Sequence, residues 1–278
     1  MYRGRKLCIA TKHGKEKVIA PLFERELWVD CIVPHGFDTD VFGTFTMTIE
    51  RKEDALTTAR NKVIAALKHS DCDLGIASEG SFGLHPSIGF FPVNEEVLFF
   101  VDLKNDLEIF VKNMSLETNF SGEKVQSISE LHAFAEKAKF PTHGLIVKKD
   151  VGSFSDMVSG ITDVNVLEET FANMLTAHGT AYVETDMRAM FNPTRMKVIE
   201  ATTEKLLQKI LNKCPSCGMP GYGITEMKEG VLCELCNSPT RLIMSHIYSC
   251  LKCMHSEEVM TETSFSKANP MYCDYCNP

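Results

Sequence analysis

Four Cys-x2-Cys pairs near the carboxyl end constrain this chain more than any other feature. They are separated by 15, 13 and 19 residues, and they are Cys214/Cys217, Cys233/Cys236, Cys250/Cys253 and Cys273/Cys276. Each pair supplies two thiolates, and two pairs complete a tetrahedral zinc site. The sequence therefore predicts two zinc sites in a small module over residues 214–278. Because protein would fill all four positions at each metal, both zinc ions are expected to be structural.

The order in which the four pairs combine is open at this point. Consecutive pairing is the simplest and would give two zinc ribbons, one from the first two pairs and one from the last two. A cross-braced arrangement, which joins the first pair to the third and the second to the fourth, is the alternative. Either His246 or His255 could replace a cysteine, although neither is needed as a ligand.

The distribution of cysteine and charge indicates the compartment and the class of partner. Eight of the 11 cysteines lie in the four pairs, as expected for metal binding in a reducing compartment. No apolar run approaches the length of a membrane span or of a secretory signal, so a cytoplasmic protein without a membrane contact is expected. The net charge is -8, and the paired-cysteine tail has fewer basic than acidic residues. Nucleic acid is therefore an unfavourable partner, and the tail is expected to contact protein.

Residues 1–213 alternate strand-like and helix-like patterns, which predicts an α/β domain with a mixed sheet and helices on its faces. The expected strands are Arg5–Thr11, Val29–Val33, Ile88–Val93, Val97–Leu103, Leu107–Leu116, His143–Lys148 and Ala181–Glu184. The expected helices are Gly14–Trp28, Glu53–His69, Ser127–Lys139, Val164–His178 and one that begins at Asn192-Pro193. Segment Gly36–Thr46 is expected to form a loop or a hairpin.

The stretch Asp71–Gly83 predicts a buried strand that opens into a loop at Ser78. Small polar residues and two glycines follow the apolar run, and α/β sheets bind ligands beyond the carboxyl ends of their strands. Glu79 has no bulky neighbour and is a candidate metal ligand on this loop. The alternative is a tight turn with a solvated glutamate.

The polar loop Thr11–Lys17 joins the first strand to the first helix and is a candidate phosphate site. Free N–H groups and the dipole at a helix N-terminus favour an anion, and Thr11, His13 and Lys15 are placed to bind it. A solvated first helical turn is the alternative. Arg60 of the second predicted helix could reach the same cleft, or only pack its stem along the core edge.

A second polar cluster follows the strand that ends at Glu184. Arg188 and Arg195 could clamp an anionic group, while Glu184 or Asp186 could share a metal with Glu79. The alternative is an internal network of ion pairs that fixes the last helix to the sheet.

Several of these segments together resemble an uncharacterised bacterial domain family of unknown function. They are Ile9–Pro21, Gly36–Phe45, Ser78–Gly83, Glu184–Ala189 and Asn192–Met196, with the paired-cysteine tail. This resemblance covers nearly the whole chain and implies no particular activity.

The first hundred residues are also similar to the inosine/xanthosine triphosphatase superfamily. The segments that carry this similarity are Ala10–Lys15, Ala59–Lys62 and Asp73–Gly80, which occur in the family's order. The resemblance implies a nucleotide cleft and Mg-dependent phosphate chemistry.

Two functions remain open from the sequence. The first is a phosphoanhydride hydrolase for a nucleotide or a related phosphorylated metabolite. In it Lys15 holds phosphate, Glu79 binds Mg with Asp186 or Glu184, and arginine neutralises the developing charge. The second is a non-enzymatic protein that senses an anion and contacts a protein partner through its zinc ribbons.

Overall fold

The structure, a computed structural model, describes residues 1–42, 53–87, 89–153 and 155–278. The chain divides into two compact units, Met1–Leu206 and Leu207–Pro278. Within the described ranges no helix has both the length and the apolar character needed to cross a membrane. The predicted mixed α/β class is confirmed.

The first unit contains a five-stranded mixed sheet with the strand order β2-β1-β3-β4-β5. Its strands are β1 (Lys6–Ala10), β2 (Asp30–Ile32), β3 (Leu74–Leu84), β4 (Pro92–Asp102) and β5 (Leu107–Ser115). Strand β1 is parallel to both β2 and β3, whereas β3, β4 and β5 form an antiparallel meander. The connecting helices are α1 (Glu16–Leu27) and α2 (Ala55–His69).

The two faces of this sheet carry different helices. Ala77, Val97 and Phe99 belong to one apolar cluster with Val63 of α2, so we name their side the α2 face. Phe100 is the next residue along β4 and stacks on Phe23 of α1 at a centroid distance of 6.0 Å. Since successive side chains of a strand point to opposite faces, this second side is the α1 face.

The first unit also contains a four-stranded antiparallel sheet with the order β6-β9-β7-β8. Its strands are β6 (Gly122–Val125), β7 (Leu145–Lys148), β8 (Met157–Ile161) and β9 (Ala181–Thr185), and its helices are α3 (Ile128–Lys137) and α4 (Val164–His178). Leu131, Phe134 and Phe171 of these helices pack against the buried side of the sheet. The sequence does not predict β6 and β8, because their short, polar or glycine-containing runs lack strand periodicity.

Helix α5 (Pro193–Leu211) begins where the sequence places it. The Asn192 side chain accepts a hydrogen bond from the Arg195 amide at 2.9 Å, and Pro193 occupies the first helical position. The strand that precedes this helix is β9, so the polar residues after β9 lie between the end of an interior strand and a helix N-terminus.

The prediction of a loop after Ser78 is wrong. Strand β3 continues to Leu84, and each of its residues pairs with a residue of β4. The expected strands Ile88–Val93 and Val97–Leu103 are accordingly one strand, β4, although Ile88 itself lies outside the described residues. The long antiparallel partner satisfies the backbone groups that the sequence assigned to a loop.

The remaining predicted helices of this unit are confirmed to within two residues at their ends. Segment Gly36–Thr46 contains a 3-10 turn at Thr39–Phe42, and its last residues, 43–46, lie outside the described residues together with the rest of 43–52.

The second unit is built on a small antiparallel meander with the strand order β10-β11-β12. The strands are β10 (Gly223–Glu229), β11 (Ile243–Ser249) and β12 (Ser256–Met260). The start of β10 pairs with the end of β11, and the start of β11 lies beside the end of β12. The chain therefore reverses direction between each strand and the next.

A buried ion pair joins Arg5, the residue before β1, to the end of β4 in the first unit. Arg5 donates from Nη1 and Nη2 to the two carboxylate oxygens of Asp102 at 3.0 and 2.7 Å, and the Asp102 side chain is fully buried. Although burial opposes ionisation, the hydrogen bonds from Arg5 and Asn105 lower the pKa of Asp102. Arg5 therefore keeps a buried carboxylate ionised.

We expect Arg5→Met to reduce the free energy of unfolding by about 3–5 kcal/mol, because it leaves the Asp102 charge buried without a partner. Arg25→Met is the matched control, since the exposed Arg25–Glu26 pair contributes about 1 kcal/mol or less. Urea unfolding measures both. The folded pKa of Asp102 is lowered, so its contribution is present above the unfolded value and is lost as the pH falls. The deficit of Arg5→Met should shrink below about pH 4. Equal losses in the two variants would contradict this assignment.

Candidate functional site

The eight paired cysteines form two clusters in the second unit. Cys214, Cys217, Cys250 and Cys253 make the first, which we name cluster I, and Cys233, Cys236, Cys273 and Cys276 make cluster II. In each cluster the four sulfur atoms lie within 4.8 Å of one another. The pairing is therefore first with third and second with fourth. The simpler prediction of consecutive pairing is wrong, and the cross-braced alternative is confirmed.

The meander explains this pairing. The first pair precedes β10 and the third pair follows β11, and these two points meet because Gly223 is paired with Ser249. The second pair follows β10 and the fourth follows β12, at the opposite end of the sheet. A seven-residue strand spans about 20 Å. Consecutive pairs therefore lie at opposite ends of the sheet, too far apart to share a metal.

The sulfur geometry fits a tetrahedral metal. Sulfur–sulfur distances are 3.7 Å for both Cys214–Cys253 and Cys217–Cys250 in cluster I, and 3.6 and 3.9 Å in cluster II. Four ligands at the usual zinc–sulfur distance of about 2.3 Å would be about 3.8 Å apart. Each cluster could therefore hold a metal ion, consistent with structural zinc.

A group of buried charged side chains lies on the α1 face of the first unit. Lys15 donates to the Ser78 hydroxyl and carbonyl oxygens at 2.8 and 3.0 Å. Arg195 donates from Nε to Glu96 Oε1 at 2.6 Å, and both of these side chains are fully buried. We name Lys15, Ser78, Glu96 and Arg195 the Lys15–Arg195 cluster. Its members come from the start of α1, from β3, from β4 and from the first turn of α5.

Gly80 makes room for this cluster. It is paired with Glu96 across β3 and β4, and a Cβ at this position would lie 2.5 Å from Glu96 Oε1 and closer still to the Arg195 guanidinium. No side chain fits there. The glycine that the sequence assigned to a ligand-binding loop instead allows an ion pair to lie on the surface of the strand.

Arg195 is fixed in direction by three further contacts. Its Nη1 donates to the Met187 carbonyl oxygen at 2.6 Å, its amide donates to Asn192, and its guanidinium lies 5.1 Å from the centre of the Phe82 ring. The guanidinium plane is therefore held by a carboxylate, a carbonyl and an aromatic ring.

Lys15 differs from Arg195 because no carboxylate lies within ion-pair distance of its ammonium among the described residues. Burial lowers the pKa of Lys15 to about 7, and the Arg195 cation adds to this effect. The nearby carboxylates of Glu96 and Glu79 oppose the shift without cancelling it. Lys15 is thus a buried amine that changes its charge near neutral pH.

Glu79 lies on the opposite face from this cluster. It forms an ion pair with Lys62 of α2, and both side chains are buried. Because Glu79 follows Ser78 directly in β3, the strand directs the two side chains to different faces of the sheet. The structure therefore does not place Glu79 beside the Lys15 ammonium in one open cleft, although the two charges influence each other.

The other predicted carboxylates have their own cations. Asp186 accepts from the Arg188 guanidinium and from the Gly160 amide, and Glu184 pairs with Lys148 at 2.8 Å. These residues therefore form internal ion pairs, as in the alternative interpretation of the second polar cluster. Among the described residues, the two cysteine clusters are the groups of at least three His, Cys, Asp or Glu side chains close enough to share a metal.

Three predicted phosphate-binding residues lie in other surroundings. Arg60 forms an exposed bidentate pair with Glu108, away from the buried cluster. Thr11, four residues before Lys15, is buried, and its hydroxyl accepts a hydrogen bond from the His13 amide at 3.3 Å. The loop is thus partly closed on itself, and of the proposed cations Lys15 and Arg195 are the two that the fold brings together.

Two members of the cluster were missed by sequence reasoning. Glu96 lies between the two strands predicted at Ile88–Val93 and Val97–Leu103, and Ser78 lies where the sequence predicts the start of a loop. A signal was available in β4, where Asn94 and Glu96 share one face with Leu98 and adjoin the apolar residues Val93 and Val97. Polar residues in such a strand must find polar partners.

A family model described as Domain of unknown function (DUF6671) matches residues 62–278. The match includes Glu96, Arg195 and both cysteine clusters, whereas Lys15 precedes it. The expected resemblance to an uncharacterised domain family with a paired-cysteine tail is confirmed. Comparisons with curated proteins and with solved structures gave no match. The similarity to the inosine/xanthosine triphosphatase superfamily stays an expectation from sequence.

Pairs of cysteine substitutions test the cross-brace directly. We expect about two zinc ions per chain in the wild type, measured by elemental analysis of protein purified without chelator. Cys217→Ser combined with Cys250→Ser disrupts cluster I alone and should leave about one. Cys217→Ser combined with Cys233→Ser disrupts both clusters and should leave about none. Consecutive pairing predicts the opposite result, about no zinc in the first double variant and about one ion in the second. The two double variants therefore control for each other.

Proposed function

This chain belongs to the DUF6671 family, and we propose that its first unit binds a small oxyanion, such as a phosphate group, at the Lys15–Arg195 cluster. The observation that carries the proposal is the Lys15 ammonium, which is buried and hydrogen-bonded to the neutral Ser78. A buried cation without a carboxylate partner is costly. An anionic ligand would remove that cost.

The charge of the cluster supports the proposal. Lys15 and Arg195 contribute two positive charges on the α1 face, and Glu96 contributes one negative charge. The Lys62–Glu79 pair on the α2 face is neutral overall. The Lys15–Arg195 cluster therefore has a net charge of one positive unit when Lys15 is protonated, which suits one anionic group.

The backbone supports the same ligand. Lys15 immediately precedes α1, and Arg195 lies in the first turn of α5, so both cations lie at helix N-termini. The dipole at each helix N-terminus favours an anion, although the Thr194 and Arg195 amides of α5 already donate to His143 and Asn192. The two helix dipoles therefore add to the support that the two cationic side chains give for an anionic ligand.

Phosphoanhydride hydrolysis, which the resemblance to the triphosphatase superfamily suggests, receives less support than binding. The carboxylates assigned to Mg, Glu79, Glu184 and Asp186, each pair with a different cation. A Mg site built from them would require those pairs to open. The anion-sensing function is accordingly the better supported of the two.

We propose that the second unit is folded by two structural zinc ions and contacts a protein partner. Its acidic balance disfavours nucleic acid. Several apolar side chains near the metal clusters are more than half exposed, as is common at protein interfaces: Leu235, Leu251, Met254 and Tyr275.

We expect Lys15→Met to weaken the binding of inorganic pyrophosphate at least tenfold at pH 6.5, because the buried cation is removed with little change in side-chain length. Lys17→Met is the matched control, since Lys17 is exposed in the same helix and its loss should change affinity less than twofold. Isothermal titration calorimetry measures both, and released phosphate measured in the same samples with Mg reports hydrolysis. Similar affinities in wild type and Lys15→Met would contradict the proposed site.

The pKa of Lys15 predicts how affinity depends on pH. Lys15 is charged below about pH 7 and neutral above it, so an anion binds more weakly as the pH rises. Sulfate is the suitable probe because its own charge is constant over this range. We expect sulfate to bind roughly tenfold more weakly at pH 8 than at pH 6 in the wild type. This dependence should be lost in Lys15→Met, and a pH-independent wild type would contradict the role of Lys15.

A further inference from the structure

Two polar side chains beside the Lys15–Arg195 cluster are buried without hydrogen-bond partners. Both side-chain atoms of Asn94, the amide nitrogen and the carbonyl oxygen, and Oε2 of Glu96 find no partner within the described part of the chain. Asn94 is 1% exposed and Glu96 is fully buried. Native proteins satisfy most buried polar atoms, so three such atoms on neighbouring side chains require an explanation.

The position of Asn94 connects it to the proposed anion site. Asn94 and Glu96 are two residues apart in β4, so both point to the α1 face at a spacing of about 7 Å. Asn94 is paired with Phe82 across β3 and β4, and the Phe82 ring lies beside the Arg195 guanidinium. Glu96 binds Arg195 through Oε1, which leaves Oε2 for another donor.

Asn113 is a neighbouring asparagine that has a structural role on the α1 face. Asn113 of β5 is paired with Glu96 in the same sheet, and its amide group donates to the Thr202 hydroxyl at 3.1 Å and accepts from Lys205. Helix α5 thus gives a partner to both the amide nitrogen and the carbonyl oxygen of Asn113. Asn94 is more deeply buried, at 1% exposed against 9% for Asn113, but has no such partner among the described residues, so its amide does not hold α5 to the sheet.

We propose that Asn94 and Glu96 bind a second part of the ligand, a planar edge that carries a hydrogen-bond donor next to an acceptor. The side-chain amide of asparagine presents one donor and one acceptor side by side, which matches a carboxamide or the edge of a heteroaromatic base in two parallel hydrogen bonds. The free Oε2 of Glu96 would accept from an N–H or O–H of the same ligand. This inference rests on the proposed function and adds the ligand class: an oxyanion joined to an amide-like group.

The stability of Asn94 variants separates this role from that of a buried structural water. If the ligand is the missing partner, the free protein bears the cost of unpaired buried atoms, and Asn94→Leu should raise or leave unchanged the melting temperature. If a resident water completes the hydrogen bonds, Asn94→Leu should lower it. Asn113→Leu is the matched control and should lower the melting temperature in either case, because it breaks two observed hydrogen bonds.

Four probes then test the ligand class by calorimetry on the full chain. Sulfate and ribose 5-phosphate carry only the anionic part, nicotinamide mononucleotide adds a carboxamide, and adenosine monophosphate adds a base edge. We expect the wild type to bind one or both of the last two at least tenfold more tightly than ribose 5-phosphate. Asn94→Leu should remove that preference while its affinity for ribose 5-phosphate stays within twofold.

The outcomes distinguish this inference from the proposed function. Binding of sulfate and ribose 5-phosphate that depends on Lys15, with no preference for either larger probe, would overturn the ligand class and leave the anion site standing. A preference that survives Asn94→Leu, or a melting temperature that falls as far as that of Asn113→Leu, would overturn the role of Asn94. Failure of all four probes to bind would reject the anion site and this inference together.

Discussion

The buried ion pair between Arg195 and Glu96 is the interaction on which the arrangement of the first unit depends. Neither side chain reaches solvent, so each charge requires the other, and removing one partner of such a pair costs about 3–5 kcal/mol. The pair joins helix α5 to strand β4 across 99 positions of sequence. It can form because Gly80 has no side chain. The contact places the Arg195 guanidinium beside the Phe82 ring and uses one of the two carboxylate oxygens of Glu96.

Much of the fold could be predicted from sequence because its elements have local signals. The periodicity of α2 and α4 and the caps Asp54 and Asp163 define those helices without reference to the rest of the chain. The error at β3 has a different origin. Ser78 and Gly80 have the composition of a loop, and they lie in a strand because β4 and Arg195 occupy the space around them. The residue pattern within one segment does not show which distant residues will pair with it or pack against it.

The candidate site was predictable only in part for the same reason. The sequence indicated Lys15 and Arg195 because cations near helix N-termini have a local signature. It did not indicate that Glu79 and Ser78 face opposite sides, because that depends on the continuation of the strand. The cysteine ligands were evident from their spacing, whereas their pairing depended on the meander between them.

The cross-braced tail has a consequence for synthesis of the chain. A ribosome releases Cys214, Cys217, Cys233 and Cys236 before any of the later cysteines, and these four thiols come from pairs that belong to different clusters. A nascent chain that captures zinc at this stage would hold it in a site that the finished fold does not contain. Native cluster I becomes possible only once Cys253 has emerged, and cluster II only at Cys276. If zinc fills these clusters, correct metallation requires either late loading or exchange of zinc between early and final ligands, and the order of metal delivery becomes part of how this unit matures.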